Sequence, residues 1–121
     1  MSRDWHLLVE DILEAARRAV AFVDGVEYQA FLPNLEKIAA VERQIFIVGE
    51  AAAQLPESVR RLAPAVPWRG IIGMRNVLAH GYWKFDEETL WDTARNELPL
   101  LILELERLRL GTGNDVEGTK Q

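Results

Sequence analysis

Apolar residues recur every three or four positions along nearly the whole chain, and strict alternation never persists long enough to make a strand. That pattern restricts the chain to helices that each bury one stripe. Trp5, Leu8, Val9, Ile12, Ala16, Ala19, Val20 and Val23 make the first stripe, with Ser2 or Asp4 as cap and Asp24-Gly25 as stop. Tyr28 to Leu32 is a short turn of helix. Pro33-Asn34 opens a second long helix, with Leu35, Ile38, Val41, Ile45, Val48, Ala52 and Leu55 in line. Ala39, Phe46 and Ala53 add a second apolar flank to it. A helix apolar over so wide an arc needs cover on two sides, so it is either central in the bundle or meets a partner chain.

Pro56 begins a short helix that Pro64 and Pro67 break. The next helix is predicted from about Trp68 to His80, with Gly81 as its stop. Asp86 caps a last long helix striped by Leu90, Ala94, Leu98, Leu101, Leu105 and Leu108, and Pro99 should bend it. The expected fold is all-α, an up-and-down bundle of four to five helices over residues 1–110. Residues 111–121 are polar and glycine-rich, a flexible tail with no reason to fold.

Several function classes drop out on composition. The chain has no cysteine, which excludes disulfides and thiolate metal sites and fits a reducing cytoplasm. No carboxylate cluster has metal-ligand spacing and no glycine-rich phosphate loop is present, so no metal and no cofactor are expected. The start, Met-Ser-Arg-Asp-Trp, lacks the apolar run of a signal peptide, and no segment approaches the roughly 18 apolar residues of a membrane span. The expectation is a soluble cytoplasmic protein away from any membrane.

The charge is unevenly spread. The formal net charge is −5, yet Ser58 to Phe85 contains no Asp or Glu and holds Arg60, Arg61, Arg69, Arg75 and Lys84. Five positive charges there leave −10 for the rest, since −5 minus 5 is −10. A basic island on an acidic body suits a local anionic ligand; a protein that coats nucleic acid is basic throughout.

Inside that island lies Arg75-Asn76-Val77-Leu78-Ala79-His80-Gly81-Tyr82. Arginine holds phosphate oxygens with a planar fork, histidine exchanges protons near neutral pH, and tyrosine hydrogen-bonds a phosphate or stacks on a base. With a 2′-hydroxyl as nucleophile, RNA cleavage needs no metal: a histidine moves the proton and an arginine neutralises charge growing on phosphorus oxygens. Asn76 can fix the imidazole or bind a phosphate oxygen. On one helix, however, Arg75 and His80 sit about 140° apart. A two-fold dimer that sets two such helices side by side would supply two arginines and two histidines to one cleft.

Plainer roles exist for the same residues. His80 can serve as the cation favoured at a helix C-terminus. Tyr82, Trp83 and Phe85 suit core or interface packing, Trp68 and Trp91 suit packing anchors, and His6 stands alone in the first helix. Glu50, after Gly49 inside an apolar helix, has two options: an arginine partner such as Arg69 or Arg75, or solvent.

Taken in order, Val48-Gly49-Glu50-Ala51-Ala52, Pro67-Trp68-Arg69, Gly73 through Tyr82, and Asp86 with Trp91 resemble the HepT-like toxins of the HEPN superfamily of small helical proteins. The resemblance runs from Asp11-Ile12-Leu13 to Leu98-Pro99-Leu100, and departs from the family only outside the motif, as at Pro33-Asn34-Leu35. It implies an all-helical homodimer whose arginine and histidine face a cleft between protomers. It implies a metal-independent endoribonuclease, the toxin of a type VII toxin–antitoxin system, whose antitoxin is a minimal nucleotidyltransferase that silences it by AMPylation. Carried over by position, the catalytic pair is Arg75 and His80, Asn76 supports it, and Tyr82 is the AMPylated residue. The partners so implied are RNA, the nucleotidyltransferase and a second copy of the chain. A different reading keeps the fold without the catalysis: a helical adaptor or substrate-binding subunit for a nucleotidyltransferase, which would not require an intact Arg75/His80 pair.

Overall fold

A computed structural model of the chain describes residues 4–80 and 86–119, and among these every regular element is helical. In chain order they are α1 (Trp5–Val23), α2 (Tyr28–Phe31), α3 (Leu35–Gln54), α4 (Glu57–Arg60), α5 (Trp68–His80), α6 (Glu87–Asp92), a π-helical stretch Thr93–Glu97, and α7 (Leu98–Thr119).

The helix starts follow from their caps. The Asp4 side chain accepts from the backbone N–H of His6, Asn34 from that of Lys37, and Asp86 from that of Thr89. Each satisfies a donor that the first turn leaves without an intrahelical partner. The cap bond lowers the pKa of Asp86 below its ordinary value, and the same cause acts at Asp4. α1 stops at Asp24, and Gly25 follows with φ of 71°, a left-handed conformation that glycine adopts at little cost.

α3 is the middle of the bundle, packed on one side by α1 and on the other by α5, while α1 also packs against α7. Leu8, Ile12, Leu13, Ile45, Val48, Leu98, Leu101 and Leu105 are buried where these helices meet. Each such aliphatic side chain contributes on the order of 1.5–3 kcal/mol by leaving water. Arg109 bonds both carboxylate oxygens of Glu10, and Arg17 pairs with Glu106, so α7 runs antiparallel to α1 along its length.

Three departures from the sequence reading have physical causes. Leu35, assigned to the stripe of α3, is 75% exposed, because it is the first residue of the helix and extends beyond the neighbours that cover Ile38. The last helix is not one bent rod. Pro99 has no N–H for the carbonyl of Arg95, and its ring crowds that oxygen. The ladder widens just ahead of it, with the Leu98 N–H reaching the Thr93 carbonyl, and a π-helical turn results. That turn directs Thr93 into the core, where its hydroxyl bonds Met74 Sδ on α5 at 3.4 Å. Finally, α7 continues as helix to Thr119, through residues 111–119 that the sequence reading assigned to an unfolded tail. Extending a helix already nucleated by α7's packed turns is far easier than starting one, so polar residues can continue it.

The second apolar flank of α3 is only partly covered by the described residues. Ala39 and Ala53 are exposed and Phe46 is half-buried.

Candidate active site

α5 carries the motif, and its predicted span of Trp68 to His80 is the observed one. Its first residue is anchored: the Trp68 indole N–H donates to the carbonyls of Arg60 at 3.1 Å and Ala63 at 3.0 Å, tying α5 to the turn after α4. Its buried side is Ile71 and Met74.

Arg75 sits where α5 comes closest to α3. A Cβ on Gly49 would overlap the Cβ of Arg75 and lie 3.0 Å from the carbonyl oxygen of Ile71, so glycine is what allows this approach. The next residue of α3, Glu50, then reaches the arginine: Arg75 Nε donates to Glu50 Oε1 at 2.6 Å. Of the two partners the sequence offered Glu50, the fold selects Arg75. A second nitrogen of the same guanidinium donates to Asn76 Oδ1 at 2.6 Å. A guanidinium has five N–H donors, and these two contacts leave three of them for an incoming anion. The Arg75 side chain so held is 29% exposed and that of Glu50 44%, while Asn76 and His80 are exposed. The pair with Glu50 is half in water and adds little stability; its effect is to orient the guanidinium.

α5 is continuous from Arg75 to His80, so the two side chains leave it about 140° apart, with a rise of about 7.5 Å between them. One protomer does not aim both at one atom from this helix. Tyr82, Trp83 and Phe85 lie outside the described residues, as does the predicted stop at Gly81.

Two surface features flank the motif. One turn beyond Arg75, on its side of the helix, Leu78 and Ala79 meet Ala39, Glu42, Arg43 and Phe46 of α3 around a shallow groove of about 420 Å³. The other is a cleft of about 610 Å³ between α4 and the first half of α5, lined by Arg60, Arg61, Trp68, Arg69, Gly73 and Asn76 among others. The basic window of the sequence thus becomes this cleft together with the motif. Folding also tempers the window's charge, since Glu50 pairs with Arg75 and Glu57 with Arg61.

His6 plays no part in this region; its ring bonds the α1 cap Asp4 at 2.8 Å and stacks on Trp5. Trp68 and Trp91 both pack against the core, as expected of anchors. Among the described residues no three His, Cys, Asp or Glu gather to hold a metal ion, and no helix is long and apolar enough to cross a membrane. The sequence reading did not single out Gly49 as a determinant of the site. Its signal was present as a glycine in the interior of a long helix, directly before an acidic residue.

Comparison with known proteins converges on one group. A family described as HepT-like ribonuclease matches residues 12–108. A Thermococcus cleftensis protein provisionally named ribonuclease HepT is 35% identical, over 90% of this chain and 99% of its own. A Methanocaldococcus jannaschii protein provisionally named an RNase is 34% identical, over 96% of this chain and 93% of its own. A third, from Caldanaerobacter subterraneus and likewise provisionally named an RNase, is 32% identical over 77% of this chain and 83% of its own. No solved structure matches the chain.

Proposed function

The chain belongs to the HepT-like ribonuclease family, and we propose that it is a metal-independent endoribonuclease acting as the toxin of a type VII toxin–antitoxin system. The observation that carries this reading is the preparation of Arg75: a glycine-enabled helix contact, a carboxylate on Nε and an amide on a terminal nitrogen, which leave three donors over. A helical adaptor has no use for an arginine held this way.

The reaction is transesterification. The 2′-oxygen bonds to phosphorus and the bond from phosphorus to the 5′-oxygen breaks, leaving a 2′,3′-cyclic phosphate and a 5′-hydroxyl. One imidazole takes the 2′-hydroxyl proton and another gives a proton to the departing 5′-oxygen. Arg75 meets the charge that builds on the non-bridging oxygens. A single protomer has one motif histidine, set well around the helix from Arg75, so the reading includes a homodimer. The groove at Leu78, Ala79 and Phe46 and the partly exposed flank of α3 would offer a second copy an apolar seat beside Arg75.

Silencing belongs to the same reading. A nucleotidyltransferase partner transfers AMP from ATP to the hydroxyl of Tyr82, releasing pyrophosphate. The added phosphate and base stand two residues from His80, neutralise the arginine and occupy the substrate's space.

The test is cleavage of single-stranded RNA by wild type and His80→Ala in EDTA, with product ends identified by mass. Wild type should cut to cyclic phosphate or its hydrolysis product, and the variant should lose about 10²–10⁴-fold. Activity that EDTA removes and magnesium restores would overturn the mechanism.

A further inference from the structure

The cleft beside α4 points the same way along α5 as the catalytic histidine. Counting along the helix, Gly73 is four residues from Arg69, Asn76 seven and His80 eleven, so all four lie within about 40° of one line. Arg69 and His80 are separated along that line by a rise of about 16 Å. Arg75 points elsewhere, toward α3.

Two independent features of the cleft call for an anionic occupant. The first is charge. Arg60, Arg61 and Arg69 line it, Glu57 is its acidic member, and Glu57 is already paired with Arg61 at 2.6 Å. Arg60 and Arg69 form no ion pair among the described residues. The second is Gly73. Glycine inside a helix is less favourable than alanine, and here a Cβ would meet nothing within 4 Å. Packing among the described residues therefore does not demand glycine at this position, and its bare backbone leaves the cleft floor open to close approach of a ligand. Trp68 adds an apolar wall; its N–H is committed to the Arg60 and Ala63 carbonyls, which fixes the ring in the lining of the cleft.

We propose that this cleft is a single-stranded RNA subsite. It holds nucleotides a few positions from the scissile phosphate, with Arg60 and Arg69 on backbone phosphates, Trp68 against a base, and the strand running over Gly73 and Asn76 to His80. The inference rests on the ribonuclease reading. Unstacked bases bind aromatic and guanidinium planes, and a basic groove follows the backbone. A duplex would present phosphates on both sides of a broad surface, which a cleft bounded by one short helix does not match.

The experiment measures binding of a fluorescent ten-nucleotide single-stranded RNA to His80→Ala protein, with and without Arg60→Gln/Arg69→Gln, across a salt series. Cleavage of the same RNA and of a dinucleotide by wild type and by Arg60→Gln/Arg69→Gln with His80 intact is measured alongside. Losing two phosphate contacts should weaken binding about tenfold or more and flatten the log–log salt slope by about 1.4. The loss of kcat/KM should be about tenfold greater on the long RNA than on the dinucleotide. Gly73→Leu, which places a side chain in the cleft, should keep its melting temperature and lose binding. Arg18→Gln, on the far helix α1, serves as the control.

Equal affinity, slope and length dependence in the double-arginine variant would overturn the subsite while leaving the nuclease reading intact. Wild type that neither binds nor cuts RNA would remove the nuclease reading and the subsite with it. Unchanged RNA binding with lost capture of the nucleotidyltransferase would assign the cleft to protein docking and overturn the proposal.

Discussion

Gly49 and Arg75 touch across the α3–α5 contact so closely that no side chain fits between them. Any Cβ on Gly49 meets the Cβ of Arg75 and the Ile71 carbonyl, neither of which is the movable end of a flexible chain. Alanine at this position gains about 1 kcal/mol in helix propensity, but overpacking costs about 1–3 kcal/mol. Because the obstacles are fixed, the steric cost should win. Gly49→Ala is expected to melt lower and lose activity together, as thermal denaturation and RNA cleavage would show. A variant more stable than wild type with full activity would contradict the close-contact account.

Glu50 separates orientation from stability. Glu50→Ala removes the bond to Arg75 Nε from a half-exposed pair. Stability should change little, while a guanidinium free to turn should cost about ten- to hundred-fold in kcat. Glu50→Gln, which can still accept from Nε, should recover much of that loss. Steady-state kinetics with melting curves for both variants decide it, and equal kcat in Glu50→Ala and wild type would show that the carboxylate does not position the arginine.

The proposed dimer can be tested by disrupting it. Phe46 lines the groove that also holds Leu78 and Ala79, and its ring lies 5.8 Å from the Arg43 guanidinium. Wild type should have a dimer's mass by light scattering at micromolar concentration. Phe46→Glu should give a folded monomer with no cleavage. A monomeric wild type that cuts RNA would refute the shared cleft.

For Tyr82 the readout is mass. Co-expression with a nucleotidyltransferase partner should add AMP units to wild type and none to Tyr82→Phe, which should keep much of its cleavage and escape neutralisation. The same number of AMP units on both proteins would place the acceptor elsewhere.

A pH effect should appear away from the site. Burial raises the pKa of Glu97, with the Asp92 carboxylate adding to the rise. A raised folded-state pKa means the folded protein holds the proton more tightly, so this group favours folding at low pH and opposes it once ionised. Glu97→Gln should therefore melt higher than wild type at pH 7, and the difference should shrink to nothing below the ordinary carboxylate range. Melting curves from pH 3.5 to 7.5 would show it, and a gap independent of pH would assign the effect to something other than ionisation.

Much of this protein could be read from its residues in order. Helix spans, caps and stripes are local: they depend on side chains three and four apart and on the first donors of each helix, which is why Asp86 was legible as a cap, Asp4 as one of two candidates, Pro33-Asn34 as a helix opening and Trp68 to His80 as one helix. The proposal of Arg75 and His80 as the reactive pair rests on equally local residues, as does the angle between them, a property of helix pitch. What joins residues far apart in the chain was decided only by packing. The sequence left Glu50 a choice between arginines and solvent, and the α3–α5 approach made that choice, because only the absence of a side chain at Gly49 lets the helices come close enough. The π-helical turn is an intermediate case: Pro99 announces a break, but a break can be a bend or a widened turn, and burying Thr93 against Met74 selects the second. Short-range periodicity carries no information about which stripes face each other or which charges end up paired, so a basic window in the sequence became an arginine cleft, with Arg61 met by Glu57 and Arg75 by Glu50, only once the helices were set side by side.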